Sequence, residues 1–413
     1  MPYVGKGEPV TGTTPPIHAP SPHSTLRVWS AVTVLAVAVF VVTATEMMPV
    51  AVLSEVGADL GVSVGAAGVT VTVYGVVAGL SAPLMTAWTR RVDRRTLVSA
   101  ILGGFVVGNV ATAVVANFPA LLAVRLGMGL FHGLMWSIIA GVAVRLVPPA
   151  SSGRATAVVF SGISLALVLG VPAGTAVSAR WGWHAVFAIL AAMSAVTCVA
   201  VVVLVPRLPA HDAGVSRSWP RAAAGRVRTI LVVTALVVVG NYAGYTYIAP
   251  FLFEHNGIHG ESLGVYLLVY GVAGVMGNVA IGVLVGRSHS LRTMSSACLV
   301  ILTASLVVLR VAPGVPAITV VAVALWGAAY SALPVMLQTL IFAAVPDQRD
   351  SGTALYVMVF NVAIAGGSLV GAVAIDGFGA SAPIVVGAFL CAAAAGVALR
   401  LPGRGVPSTR AQA

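Results

Sequence analysis

Long apolar runs separated by short polar breaks dominate the chain. Segments 28–52, 70–85 and 185–205 carry one charge between them, Glu46. These runs do not alternate polar and apolar positions as barrel strands do, and a helix needs about 20 apolar residues to cross a bilayer core. Breaking the chain at its loops and turn residues predicts helices near 28–52, 65–88, 97–117, 119–146, 154–178 and 183–205. A second set follows near 230–253, 262–285, 293–311, 316–344, 353–375 and 381–401. The fourth and tenth are long enough to tilt or project from a bilayer. The expected fold is therefore an all-α polytopic membrane protein, with 12 transmembrane helices in two pseudo-symmetric six-helix bundles. Its expected divisions are a tail over 1–26, a bundle over 27–205, a linker over 206–229, a second bundle over 230–402 and a tail over 403–413.

Composition supports this pattern. Of 413 residues, 59% are hydrophobic and 8% charged, too few charges to cover a soluble surface of this size. The first 24 residues are rich in Pro, Gly, Ser and Thr and lack an apolar core. They read as a disordered tail, not as a cleaved signal peptide. With both termini cytoplasmic, Lys and Arg gather on the cytoplasmic side. The exceptions are Arg180 and Arg310 on the far side and Arg125 inside a span. This bias orients the chain in a bacterial plasma membrane. The net charge of +11 is then an orientation signal, and no nucleic-acid partner is expected. Cys198, Cys298 and Cys391 lie inside apolar runs, as packing residues do.

The two sets of helices repeat. Val147-Pro148 and Gly153 precede the fifth helix, and Val345-Pro346 and Gly352 precede the eleventh. Pro49 and Pro250 fall near the outer ends of the first and seventh. Two six-helix halves joined by a cytoplasmic linker form an architecture of secondary transporters, whose substrate site lies between the halves near the midplane.

From about residue 27 to 402 the chain resembles the major facilitator superfamily, in particular bacterial drug:proton antiporters and relatives that export sugars, purine nucleosides or chloramphenicol. That family's loop after helix 2 reads Gly-x-Leu-x-Asp-Arg-x-Gly-Arg-Arg. Here it stands as Thr86-Ala87-Trp88-Thr89-Arg90-Arg91-Val92-Asp93-Arg94-Arg95. Arg91, Arg94 and Arg95 match, Arg90 replaces the acid, and Asp93 stands where the family has Gly. If the acid locks the cytoplasmic gate through ion pairs, Asp93 is the residue left to do so. Gly170-Val171-Pro172-Ala173-Gly174-Thr175 resembles the exporter motif of helix 5, whose small residues and Pro suit a helix that rocks against helix 8. Ala123-Val124-Arg125-Leu126-Gly127 resembles the motif that carries an intramembrane Arg.

Glu46 and Arg125 each lie roughly 9 Å, at helical rise, below the predicted outer ends of their helices. At one depth they are expected to pair or to share water. Desolvation raises a carboxylate pKa and a nearby Arg lowers it, so Glu46 is expected to carry a transported proton with Arg125 setting its affinity; a permanent ion pair and direct substrate contact are the alternatives. His132 and Trp136 share a face of the fourth helix with Arg125, and His132, needing a hydrogen-bond partner, is a second candidate protonation site. Thr43 beside Glu46, Asn241 and Tyr245 on helix 7, Trp326, Tyr330 and Gln338 on helix 10 and Asn361 on helix 11 are the candidate cavity residues. The expected partners are a small-molecule substrate, protons and the lipid bilayer, bound by a single chain with no metal or cofactor. Enzyme motifs are missing: there is no phosphate loop, no His-Glu-x-x-His and no paired intramembrane aspartates. A non-transporting ligand sensor and a facilitator without proton coupling are the rival readings.

Overall fold

The polar breaks between spans carry residues suited to start the next helix. Ser63, Asp93 and Asn117 each turn a side-chain oxygen onto an N–H of the turn that follows, at 3.0, 3.1 and 2.9 Å. They are N-caps. Gly182 (φ 79°) adopts the left-handed backbone that reverses the chain between two helices within one residue.

The computed structural model describes residues 22–89, 91–148, 151–209, 225–259, 261–285, 290–345 and 349–401, and all its regular structure is helical. The N-terminal half contains α1 (Pro22–Asp59), α2 (Val64–Trp88), α3 (Arg94–Ala113), α4 (Phe118–Arg145) and α5 (Ser152–Leu165). A π-helical turn (Ala166–Gly170), α6 (Val171–Trp181) and α7 (Trp183–Leu204) complete it. The C-terminal half contains α8 (Arg226–Tyr245), α9 (Ile248–Asn256), α10 (Glu261–Val285), α11 (Leu291–Val311), α12 (Pro316–Ala344), α13 (Arg349–Phe378) and α14 (Ala382–Ala398). Among the described residues, eleven helices are long and apolar enough to cross a membrane, and α14 is a shorter apolar helix.

Several expectations need correction. The fifth predicted helix is continuous in direction but contains the π turn just before Pro172, which has no N–H to give the turn above it. The seventh is two helices, α8 and α9, broken at Thr246-Tyr247 just before Pro250. The first runs on to Asp59 across a non-helical Val52 (φ −120°, ψ 15°), so Glu55 and Asp59 join Glu46 inside it. Likewise α13 takes in Asp376. Glu46 is therefore not the sole carboxylate in a spanning helix. At 38 and 30 residues, α1 and α13 exceed α4 and α12. Residues 22–26 belong to α1 and Arg226 starts α8, within segments read as tail and linker. Residues 1–21, 210–224 and 402–413 lie outside the described residues.

Within the N-half, α1 packs on α5 and α7, α2 on α4, and α3 on α7. In the C-half, α8 packs on α13 and α14, while α12 packs on α10 and α11. Across the boundary α2 lies along α13, α10 along the π turn and α6, and α1 against α9. A stripe of Gly65, Gly68, Gly75 and Gly79 on α2 makes the first contact possible. A β-carbon at Gly75 or Gly79 would sit only 3.3 Å from the Ala365 or Asn361 β-carbon of α13.

The two ends of the bundle differ. One apolar core joins both halves at the end opposite the termini, running from Met47, Leu53 and Phe187 into Tyr247, Phe251 and Trp326. At the termini end, Leu35, Ile101, Phe105 and Ile139 belong to a separate core made by the N-half alone. Among the described residues the apolar core thus joins the halves at the opposite end, and the separate core at the termini end is the N-half's own.

Asp93 bears on that second end. Partial burial raises its proton affinity, but hydrogen bonds from the Thr96, Leu208 and Arg95 N–H groups and the Thr96 hydroxyl outweigh it and hold the carboxyl below its ordinary 3.8. Its acceptors are used in capping α3, so the expected lock through Asp93 gives way to a local role. A group whose folded pKa is depressed stabilises fully above its unfolded value and loses that contribution as pH falls through the folded one. In thermal unfolding of detergent-purified protein, Asp93→Ala should cost about 1 kcal/mol at neutral pH. Asp93→Asn, which can still cap, should cost much less, and the gap between the parent protein and Asp93→Ala should close as pH falls below 3.8.

Candidate functional site

Pro49 organises the site. It has no N–H, so the carbonyl of Thr45, four residues earlier in α1, loses its helical donor. In a membrane interior such a carbonyl must find another partner. Arg125 of α4 supplies it: Nη1 donates to the Thr45 carbonyl at 3.1 Å. The Thr45 hydroxyl oxygen is held as well, accepting from Asn109 Nδ2 at 3.2 Å, and the same amide reaches the Ser194 hydroxyl at 3.4 Å. Arg125 is almost wholly buried (2% exposed), with its guanidinium 5.1 Å from the Phe187 ring and 5.9 Å from the Tyr74 ring. Its Nε makes no hydrogen bond and borders a cleft between Pro49, Leu53, Thr70 and Trp183 with about 10 Å³ of free volume, room for one water.

Glu46, the residue after Thr45, is thereby aimed at α4. Its ion-pair contact is with His132, Oε1 to Nε2 at 3.5 Å, and not with Arg125. The expected direct Glu46–Arg125 pair is replaced by a carboxylate–imidazole contact: Arg125 Nη1 is on the backbone carbonyl, and its charge stays within electrostatic reach of Glu46. His132 Nδ1 lies 2.9 Å from the Tyr74 hydroxyl of α2. When Tyr74 donates to Nδ1, the ring proton sits on Nε2, facing the carboxylate. His132 is sealed at 2% side-chain exposure while Glu46 keeps 11%, so the carboxylate is the less enclosed member of the pair. Trp136 sets its ring edge against His132 at 5.9 Å and also packs on Phe160. Thr43 is buried with its hydroxyl unpaired.

The C-half contributes rings instead of charges. Tyr245 stacks on Tyr270 at 4.6 Å, and Trp326 stands edge-on to both at 6.2 and 5.6 Å. Tyr242 bridges outward to Tyr245 and Tyr330 at 6.3 and 6.2 Å. The Trp326 indole N–H donates to Asn241 Oδ1 at 2.8 Å, while the Asn241 amide nitrogen and the Tyr330 hydroxyl make no hydrogen bond of good geometry. Each still has a hydroxyl neighbour, Tyr270 for Asn241 and Tyr242 for Tyr330. Tyr242 of the C-half lies within electrostatic reach of Glu46.

Structure and sequence diverge on the remaining candidates. Gln338 is half-buried, about 12 Å along α12 from Tyr330. Asn361 bonds back to the Val357 carbonyl of its own helix at 2.9 Å and faces the glycine stripe of α2. Arg91 is exposed, Arg94 is half-buried and its backbone N–H bonds the Leu208 carbonyl, and Arg95 donates to the Val202 carbonyl at 3.2 Å. These two contacts stay within the N-half side, and Arg90 lies outside the described residues. Gly170 and Gly174 lie against Ala44 and Met48 of α1, while the Pro172 carbonyl faces Gly264 of α10, so the motif sits between the two halves. Sequence reasoning missed Tyr74, Tyr242 and Tyr270. Only their place within apolar runs marked them, and packing aromatics share that feature.

Comparison with known proteins agrees with this architecture. The sequence matches the Major Facilitator Superfamily over residues 35–308 and again over 230–413. It is 31% identical over 341 residues to a Mannheimia succiniciproducens protein described as "Probable sugar efflux transporter", covering 82% of this chain and 85% of that one. Among solved structures, a mutant of nucleoside transporter NupG aligns with a TM-score of 0.77 at 13% identity, covering 89% of this chain and 98% of that one. A bacterial homologue of the human lysosomal transporter Spinster aligns with a TM-score of 0.72 at 14% identity, over 92% and 97% of the two chains. The two helical halves and these matches together make the chain a member of the Major Facilitator Superfamily, a multi-pass membrane transporter.

Proposed function

We propose that this transporter exports a small polyhydroxylated molecule, of sugar or nucleoside type, in exchange for protons. The observation that carries the reading is the Glu46–His132 contact between α1 and α4, in which the carboxylate is the less enclosed partner of a sealed imidazole. A proton taken up on Glu46 cancels its charge, weakens its hold on His132 and removes the field felt by Tyr242 of the other half. Proton occupancy and the relative position of the halves are then linked, as antiport requires. Arg125 acts through geometry: it holds the α1 kink that aims the carboxylate.

The C-half rings suit the apolar faces of a sugar or a nucleoside base, and the unpaired Asn241 and Tyr330 groups suit its hydroxyls. The sugar-efflux description of the Mannheimia succiniciproducens relative favours the same class. By the Lys and Arg bias the termini end is cytoplasmic in a bacterial plasma membrane. The end at which the halves are fused is then the outer one, and the conformation is closed to the outside.

A screen of sugars, nucleosides and drugs in an exporter-deficient strain identifies the substrate. In proteoliposomes carrying a pH gradient, Glu46→Gln should reduce proton-driven efflux to the level of protein-free vesicles while leaving substrate exchange intact. Retention of driven efflux by Glu46→Gln rules out coupling at this residue. Tyr245→Leu removes one stacking face and should raise the KM for the screened substrate roughly tenfold with little change in maximal rate; an unchanged KM places the substrate elsewhere.

A further inference from the structure

Asp376 occupies the last turn of α13, where the negative end of that helix's own dipole disfavours an acid. Its carboxylate is turned across the boundary onto the start of α2. Oδ1 accepts the Gly65 N–H at 3.0 Å, and Oδ2 accepts from the Ser63 hydroxyl at 2.5 Å. Ser63 is the N-cap of α2, and its oxygen accepts the Ala66 N–H at the same time. One carboxylate of the C-half therefore sits on the positive end of a 25-residue helix of the N-half. Gly65 makes room for it, since a β-carbon there would strike both the carboxylate and the Ala372 carbonyl.

A second strut lies about one turn deeper. The Ser368 hydroxyl of α13 donates to the Gly68 carbonyl of α2 at 2.9 Å, and the Ser368 carbonyl accepts from the Tyr247 hydroxyl at 3.0 Å. Tyr247 stands at the α8–α9 break, and Gly68 leaves space for its hydroxyl. Nothing comparable joins the halves at the termini end among the described residues. There Asp93 caps its own helix and Arg95 bonds a neighbouring carbonyl of the N-half.

We propose that Asp376 is the latch of the gate opposite the termini: a positioning residue of the transport cycle, whose release from Ser63 and Gly65 frees α13 from α2 and opens that end. The proposal needs only that the two halves move against each other, so it stands or falls separately from the proton and substrate assignments above.

The test uses the full chain with Cys198, Cys298 and Cys391 replaced by Ser and spin labels introduced through Ala116→Cys and Pro313→Cys. These positions lie in the α3–α4 and α11–α12 turns, one in each half and both at the latched end. Pulsed distance measurements in lipid nanodiscs should show a dominant short distance with Asp376 present. Asp376→Asn should raise the ratio of long to short distances roughly threefold to tenfold, the range for charge-assisted hydrogen bonds at an exposed site. Ser63→Ala, a milder change that keeps the carboxylate, should shift the ratio in the same direction by less. Gly65→Ala, which wedges the contact, should open the same end and shows that the label pair reports opening. An Asp376→Asn distribution that matches the parent overturns the latch. If Asp376→Asn cannot be purified as a monodisperse protein, a parental distribution in Ser63→Ala overturns it equally.

Discussion

The carbonyl of Thr45 is the constraint from which the site is built. A spanning helix normally satisfies its own backbone, and Pro49 withdraws one donor within the span. The chain answers with a buried arginine, bound to that carbonyl at 3.1 Å, and holds the hydroxyl of the same threonine through Asn109. With Thr45 tied on both sides, Glu46 has little choice of direction. It meets His132, whose other nitrogen is already engaged by Tyr74. A cation that the sequence suggests as partner of the carboxylate becomes the brace that orients it.

This division of labour gives the two halves different chemistry. The N-half holds the charges and their hydrogen-bonded supports on α1, α2 and α4; the C-half holds a ring cluster on α8, α10 and α12 with an unpaired amide nitrogen and hydroxyl. Electrostatic interactions strengthen where water is scarce, so Glu46 and His132 respond most to a change in how closely the halves close over them. Stacking responds less to such a change, because ring contacts inside one half move with it. Charge on one side and rings on the other let one motion change the electrostatics of Glu46 and His132 without dismantling the ring cluster.

Much of the fold was legible in the sequence because bilayer length and helical period leave few alternatives to the runs of apolar residues. Pro49, Glu46 and Arg125 were legible too, each being costly in a membrane and therefore conspicuous. The partners were not. Tyr74 is one aromatic in an apolar run, and nothing local separates it from a packing residue until α2 lies on α4 and its hydroxyl meets His132. Tyr242 and Tyr270 were hidden in the same way. Gln338 and Asn361 stood out as polar, yet Asn361 satisfies its side chain on its own helix. Asp376, Glu55 and Asp59 were misplaced because their helices run further than hydrophobicity alone predicts. Each gains a partner only in three dimensions: the α2 N-terminus for Asp376, Ser178 for Glu55 and the Trp183 indole for Asp59.

A transporter must hold two arrangements of its halves within a few kcal/mol of each other, since a wider gap would strand it on one side. The α2–α13 contact meets that demand through its composition. Its α2 face is a row of glycines at 65, 68, 75 and 79, so the helices approach closely without knobs that would have to be lifted out of holes. The hydrogen bonds across it run from the exposed Asp376–Ser63 contact to the buried Ser368–Gly68 and Tyr247–Ser368 pairs. A seam of leucines would have been tighter and harder to reverse. At the termini end the relation is inverted: Arg90 stands where related transporters place an acid, and Asp93 is committed to capping α3. A carboxylate bridges the halves at the end opposite the termini, and that contact favours closure there. Whatever reverses it has to act where both halves feel the same charge, as Tyr242 of the C-half feels that of Glu46.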